Sequence, residues 1–269
     1  MPPVTATDDD RIELQEAADS LGVHYQTAYR WVRTGRLPAQ LVGGRYLIDR
    51  AALELVDQKR WTPRRPTTPS RARLERQAEA AHVALRDGDE ATVRAIARGL
   101  VDDGARLADV VQSVFVPPLR AIGQAWHDGA LPIWVEHRAS AIVERTLGEL
   151  SPNPRGRRRG VAMVAAVSGD RHSLPTTMAA VALRDVNWYV HHLGADMPGD
   201  ELVRFCAEHA VDVAVISVTN PEVASLAAST AQQIRQAGTP TVVGGPGRSL
   251  DELVDVVTEA AADRAGSGD

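Results

Sequence analysis

The spacing of apolar residues changes at about residue 160, and this change constrains the fold more than any other feature of the chain. Before it, apolar residues recur every three to four positions, which is typical of amphipathic helices. After it, short apolar runs such as GVAMVAAV alternate with helical stretches. Strands that alternate with helices predict βαβ units and a parallel sheet covered on both faces. We therefore expect an all-α part followed by an α/β part.

The 269 residues divide further by pattern and composition, and the predicted fold class is multidomain α plus α/β. Two short helices and an alternating segment, LVGGRYLI, predict a winged helix-turn-helix, and four later helical patterns predict a four-helix bundle. The last part predicts a Rossmann-like parallel sheet of four strands. The predicted boundaries are 1–11 disordered, 12–56 winged helix-turn-helix, 57–70 linker, 71–151 four-helix bundle, 152–159 linker and 160–264 α/β domain.

Composition excludes several classes of protein. The only cysteine, Cys206, cannot form an intrachain disulfide. The only lysine, Lys59, lies in a Pro/Arg-rich stretch, which argues against a P-loop ATPase, a Schiff-base enzyme and a kinase. No run approaches the roughly eighteen apolar residues of a membrane span, and the acidic start does not resemble a signal peptide. We expect a cytoplasmic protein without a membrane partner.

Charge is distributed unevenly. The net charge is -5, yet residues 26–73 carry eleven Arg and Lys against three acids, a net of +8 that leaves -13 for the rest. A basic block in an acidic protein suggests a polyanionic partner. A solvated, arginine-rich linker is the alternative. Composition favours neither interpretation, so the order of the residues must distinguish them.

The basic block begins in a segment that suits DNA recognition. Ala17, Leu21, Ala28, Trp31 and Val32 can form a small core between two helices, the second running from about residue 25 to 34. A helix of this kind fits the major groove, where arginine binds phosphate or guanine. The predicted DNA contacts are Gln26, Tyr29, Arg30 and Arg33 on the outer face of that helix and Arg45 on the hairpin tip. A helical hairpin that binds protein is the alternative.

The same segment resembles a known superfamily of DNA-binding proteins. RWVRTGRLPA and GGRYLI are similar to the corresponding segments of the excisionase/MerR superfamily. The resemblance implies a double-stranded DNA operator as the partner.

Three predicted strand ends carry residues that suit a ligand site. Asp170 and His172 follow the first strand, Ser217 follows the third, and Gly244-Gly245 follow the fourth. Ligands of open α/β sheets bind beyond the carboxyl ends of the strands. A carboxylate can orient a metal-bound imidazole, and glycine permits a close approach to the backbone. These residues therefore predict a site at this edge of the sheet.

This arrangement resembles the cobalamin-binding domain, whose pattern is DxHxxG, then SxL, then GG. Two positions differ, because Pro175 replaces the last glycine of the first motif and Thr219 replaces the leucine of the second. The residues after Gly245 leave room for one helix. We therefore expect four strands where the family has five, and a tail pocket that is open or altered on one side.

A second signature lies in the predicted bundle, where Trp126 is followed after nine residues by Glu136-His137. This spacing resembles the Wx9EH signature of the CarH-type light-sensing regulators, adenosylcobalamin-dependent members of the MerR superfamily. The LGAD segment at 193–196 is also similar to the corresponding segment of these regulators. The resemblance covers nearly the whole chain, with the modules in the same order.

The resemblance implies that the bundle caps the upper face of adenosylcobalamin. His172 would be the lower cobalt ligand, and His127 matches a position whose histidine can bind cobalt after light breaks the cobalt–carbon bond. The implied cofactor-binding residues are Trp126, His127, Glu136, His137, Asp170, His172, Ser217, Thr219, Gly244 and Gly245.

The resemblance also implies a light-responsive transcriptional regulator rather than an enzyme. A homo-oligomer, dimer or tetramer, would bind DNA in darkness and release it when light removes the adenosyl group. Two alternatives stay open: a regulator of the same fold with another tetrapyrrole (bilin or haem) or no cofactor, and a corrinoid carrier for methyl transfer. The DNA-reading segment argues against the carrier.

Overall fold

The computed structural model describes residues 11–21, 25–33, 37–43, 45–50, 53, 69–156, 158–245 and 247–266. The chain divides into two compact units, Met1–Arg65 and Pro66–Asp269, and each is described by itself. Among the described residues, no helix combines the length and the apolar character that crossing a membrane requires.

The first unit is a helical pair with a small antiparallel sheet. Its elements are β1 (Arg11–Glu13), α1 (Leu14–Ser20), α2 (Tyr25–Arg33), β2 (Gln40–Val42) and β3 (Arg45–Asp49). The sheet has the order β1-β3-β2, so the central strand pairs on both sides. The hairpin predicted from LVGGRYLI is therefore present, and it has gained a third strand.

The core of this unit contains the residues that the pattern predicted. Ala17, Leu21 and Ala28 are buried, and Trp31 and Val32 are half-buried against them. Disorder was predicted through residue 11, but Arg11 begins β1 and pairs with Asp49. A strand of three residues is too short to display alternation. Residues 1–10 lie outside the described part of the chain.

The second unit begins with the bundle. Its elements are α3 (Arg71–Asp87), α4 (Glu90–Asp102), α5 (Leu107–Val110), a π-helical turn (Val111–Phe115), α6 (Val116–His127) and α7 (Ile133–Leu150). The stretch from α5 through α6 is continuous, so four helices form the bundle as predicted. Pro117 and Pro118 follow the π turn. Since proline has no N–H, the carbonyls one turn earlier lose their usual partners, and the helix widens there.

The α/β part follows in the order that the sequence predicted. Its elements are β4 (Val161–Val167), α8 (Ser173–Asp185), β5 (Tyr189–Met197), α9 (Gly199–Glu208), β6 (Val213–Ser217), a 3-10 turn (Pro221–Val223), α10 (Ala224–Gln236), β7 (Thr241–Gly244) and α11 (Leu250–Gly266). The strands are all parallel, in the order β5-β4-β6-β7. The predicted four-stranded parallel sheet is confirmed.

Helices cover both faces of this sheet. One apolar cluster lies between the sheet and α8 with α11, and a second lies between the sheet and α9 with α10. The continuous apolar run of β4 is explained by this burial, since every residue of the strand is buried.

The bundle packs against α8, and both ends of α8 bond to it. At the C-terminal end, the Asp185 carboxylate accepts the N–H of Ala108 at 2.7 Å and so caps α5. At the N-terminal end, the hydroxyl of Ser173 donates to the Glu144 carboxylate of α7. The two modules of this unit therefore meet along the whole length of α8.

The structure describes most of the second predicted linker but little of the first. Most of 57–70 lies outside the described residues. In 152–159, the Asn153 side chain accepts the N–H of Val190 at 2.8 Å and donates to its carbonyl at 3.1 Å. This segment is therefore bonded to the edge strand β5. The domain boundaries themselves stay a prediction.

Candidate functional site

A cavity of about 640 Å³ lies between the bundle and the carboxyl end of the parallel sheet. Its volume falls within the range of about 300 to 1,000 Å³ that is usual for cofactor sites. Helices α6 and α7 form one side, and the segments after β4, β6 and β7 form the other. Seven of the predicted cofactor residues line it: Glu136, His137, His172, Ser217, Thr219, Gly244 and Gly245.

His172 is held by a carboxylate beneath it. Its Nδ1 lies 2.8 Å from Oδ1 of Asp170. An ionised carboxylate only accepts hydrogen bonds, so Nδ1 carries a proton, and in the neutral form of the ring the lone pair is on Nε2. The imidazole is 60% exposed and lines the cavity. The ring is thus prepared to donate Nε2 to a metal in the cavity.

The Asp170 carboxylate is completely buried and also joins two strand ends. Its Oδ2 accepts the backbone N–H groups of Thr219 at 2.5 Å and Asn220 at 3.1 Å, beyond β6. Burial alone would raise the pKa of Asp170, but the hydrogen bonds from Thr219, His172 and Asn220 outweigh it and hold the pKa below its ordinary value. The group is therefore a carboxylate at neutral pH.

A slot extends from the cavity toward the apolar core between α8 and α11. Val215 and Leu253 line its depth. A Cβ on Gly244 would meet only the Leu253 side chain, at 3.9 Å, so the missing side chain leaves space open there. A Cβ on Gly245 would lie 3.1 Å from the Val218 carbonyl oxygen, and glycine permits this close approach. The slot suits a long, flat group inserted between the strand ends.

The two differences from the cobalamin-binding pattern leave the cavity intact. Pro175 is the third residue of α8, where a backbone N–H has no partner within the helix. It lines the cavity, which continues past it to Val215 and Leu253. Thr219 contacts Asp170 through its backbone N–H, a bond that does not depend on its side chain.

Polar groups on one face of α7 cover the cavity from the bundle. The Glu136 carboxylate lies 2.8 Å from Nδ1 of His137 and accepts the Ser140 hydroxyl at 2.8 Å. One turn further, Glu144 accepts the hydroxyl of Ser173. Sequence reasoning missed Glu144 and Ser173, although Glu136, Ser140 and Glu144 recur at intervals of four and share a helix face.

Trp126 and His127 are not among the described residues that line the cavity. They form the C-terminal end of α6, and Trp126 is 42% exposed, so it is not a core aromatic residue. Trp134, which the sequence analysis did not single out, is 58% exposed with the Arg138 guanidinium 5.0 Å over its ring. The roles of Trp126 and His127 stay predictions.

In the helix-turn-helix unit, Tyr29 has a structural contact. Its ring lies 5.8 Å from that of Tyr46, edge to face, and so joins α2 to the hairpin. Arg45 is exposed, and its Nη1 lies 2.6 Å from the Glu13 carboxylate. The side chains of the other predicted DNA contacts lie outside the described residues: Gln26, Arg30 and Arg33.

The sequence matches known families in all three modules. Residues 13–55 match the helix-turn-helix domain, and residues 77–151 and 160–263 match two families described as B12 binding domains. The chain therefore combines a helix-turn-helix domain with two B12 binding domains.

Two curated repressors are similar to this chain. The chain is 31% identical over 170 residues to the HTH-type transcriptional repressor CarA of Myxococcus xanthus, covering 60% of this chain and 54% of that protein. It is 29% identical over 160 residues to the HTH-type transcriptional repressor CarH of the same organism, covering 53% of each. The resemblance to the CarH type is confirmed. The chain spans about half the length of these relatives.

A solved structure shares much of the fold of this chain. The monomethylamine corrinoid protein of Methanosarcina barkeri superposes with a TM-score of 0.51 at 16% identity, covering 69% of this chain and 95% of that one. At this identity the likeness shows the fold alone.

Proposed function

We propose that the chain is a transcriptional regulator that binds DNA through its helix-turn-helix unit and a cobalamin in the cavity. The observation that carries this proposal is the His172–Asp170 pair in a cavity of about 640 Å³ between the bundle and the sheet. A carboxylate-oriented imidazole is a familiar arrangement for a metal ligand. The CarA and CarH repressors, similar over about half their length, support the regulatory role.

The residues present fit such a cofactor. His172 would hold the cobalt, and Ser217 with Gly244 would hold the tail in the slot. Glu136 and His137 would bind the part of the cofactor that faces the bundle. The slot is apolar at depth and polar at the opening, as a ligand with a flat base and a polar macrocycle requires.

The specific cofactor we propose is adenosylcobalamin, with light as the signal. When bound, this cofactor supplies a cobalt–carbon bond that light breaks. Glu136 and His137 would hold the adenosyl group and exclude water from it. Trp126 and His127 lie at the C-terminal end of α6, outside the cavity lining, so roles at the cofactor require this end of α6 to move toward it.

The response would reach DNA through assembly. In this proposal a homo-oligomer, dimer or tetramer, binds an operator in darkness because several helix-turn-helix units bind at once. Loss of the upper group would favour a smaller assembly and release the operator. The net charge of +8 over residues 26–73 supports a DNA partner.

The test begins with an absorption spectrum. Purified protein is mixed with adenosylcobalamin in darkness, desalted, and measured before and after green light. We expect retained cobalamin and a spectral change on illumination, with size-exclusion chromatography and a DNA mobility shift recorded on both samples. His172→Ala should retain little cofactor. A wild-type protein that retains no cobalamin would contradict the proposal, and a bilin or haem band would favour another tetrapyrrole.

A corrinoid carrier for methyl transfer is the second candidate, favoured by the fold shared with the monomethylamine corrinoid protein. The two functions are distinguished by loading the protein with methylcobalamin and adding a methyl acceptor. Transfer in darkness would support the carrier. A light-dependent loss of DNA binding without transfer would support the regulator.

A further inference from the structure

The bond between Glu144 and Ser173 joins the bundle to the segment that carries the candidate metal ligand. Ser173 directly follows His172 and is the first residue of α8. Its hydroxyl donates to the Glu144 carboxylate of α7, and both residues line the cavity. Its carbonyl accepts the Thr176 hydroxyl at 2.6 Å, so Ser173 is fixed from within α8 as well.

The opposite end of α8 is anchored separately. There the Asp185 carboxylate accepts the N–H of Ala108 at 2.7 Å. Asp185 is the last residue of α8, twelve residues beyond Ser173. Between the two ends, Leu174, Met178 and Val181 of α8 pack into the apolar cluster of the bundle. With the Asp185 end anchored, loss of the bond at Ser173 should let the Glu144 end of this interface open more often.

We propose that Glu144 is a positioning residue that keeps the bundle closed over the cavity by holding the residue after His172. The bond lets α7, which carries Glu136 and His137, move together with the His172 segment. It thereby sets how readily a ligand enters or leaves. The part of this inference that concerns cobalamin rests on the proposed function, and the part that concerns the cofactor-free protein does not.

The test compares Glu144→Ala, Ser173→Ala and the double variant. In the cofactor-free protein, we expect amide hydrogen exchange in the second turn of α8, whose N–H groups bond to the carbonyls of the first turn, to rise about tenfold in each, since one charge-assisted bond is lost. In protein loaded with cobalamin, dissociation should quicken by a similar factor. The double variant should match either single variant, because both remove the same bond. Glu144→Gln has an amide oxygen that still accepts the hydroxyl, so its exchange and dissociation rates should lie closer to those of the wild type than the rates of Glu144→Ala do.

Glu149→Ala is the matched control, because this carboxylate also lies on α7 but pairs with Arg94 within the bundle. Effects of Glu144→Ala and Ser173→Ala that add in the double variant would overturn the proposal. So would faster dissociation without faster exchange, which would make Glu144 a direct ligand contact. If Glu144→Ala fails to fold, exchange in Ser173→Ala still decides. A wild-type protein that binds no cobalamin would refute the proposed function alone.

Discussion

Oδ1 of Asp170 accepts two hydrogen bonds from His172, one from the ring Nδ1 at 2.8 Å and one from the backbone N–H at 3.2 Å. The carboxylate thus fixes both the rotamer of the imidazole and the loop that carries it. Its other oxygen holds the backbone beyond β6. One buried group therefore has a structural task and a ligand-orienting task, and substitutions can separate them.

The two tasks predict different results for two variants. Both oxygens of Asp170 accept backbone N–H groups, and Asp170→Asn leaves only one acceptor oxygen, so we expect the free energy of unfolding to fall by about 2 kcal/mol. His172→Ala leaves those bonds in place and should change it by about 0.5 kcal/mol or less. Urea unfolding of both variants measures the difference. Equal destabilisation would mean that the carboxylate serves the imidazole alone.

The low pKa of Asp170 predicts how stability depends on pH. Because the native carboxyl binds a proton less readily than the unfolded one, its contribution is present above the unfolded value of 3.8 and is lost as the pH falls through the native pKa. The stability advantage of the wild type over Asp170→Asn should therefore be constant near neutral pH and shrink below about pH 4. Urea midpoints at several pH values test this. An advantage that persists in acid would show that charge is not its source.

Gly244 should control the slot without controlling the fold. Valine suits a strand, and a Cβ here would have only the Leu253 side chain within 4 Å, so Gly244→Val should alter the free energy of unfolding by less than about 1 kcal/mol. The new methyl groups would occupy the slot, and retention of cobalamin after desalting should fall to less than about one tenth. Gly99→Ala, in open space on α4, is the matched control. Full retention by Gly244→Val would place the tail elsewhere.

Arg45 should contribute to DNA binding through phosphate. Its pair with Glu13 is exposed, 73% and 53% at the two side chains, and such pairs contribute little to stability. We expect Arg45→Ala to weaken binding to a random-sequence duplex and to lower the slope of log K against log salt by about 1. Arg204→Ala, which removes an exposed arginine of α9 paired with Glu201, should change neither. An unchanged slope for Arg45→Ala would remove this residue from the DNA surface.

Much of the fold could be predicted because periodicity reports burial directly. The buried β4 and the helices of the bundle follow from patterns longer than ten residues or from unbroken apolar runs. The strand β1 was missed because three residues cannot show a period. The π turn was missed although Pro117 and Pro118 mark it, since prolines inside a helix predict a break as readily as a widened turn.

The candidate site likewise contains one contact that the sequence could predict and others that it could not. Asp170 and His172 are two residues apart, so their contact is local and could be inferred from the sequence. The bond between Glu144 and Ser173 spans 29 residues and exists only because two modules pack together. The contact between Tyr29 and Tyr46 likewise depends on how a hairpin folds onto a helix, which no spacing in the sequence reveals.

The strand β7 has a consequence for the breadth of cofactors that the chain can accept. It forms one wall of the slot through Gly244 and is also an outer strand of the described sheet, bonded to β6 alone. A strand that is hydrogen-bonded on one side is displaced outward at a lower free-energy cost than a strand that is bonded on both sides. If a corrinoid tail occupies the slot as proposed, a bulkier lower base should therefore displace β7 rather than the central β4, and the amides of β7 should lose protection from hydrogen exchange when such a corrinoid is bound.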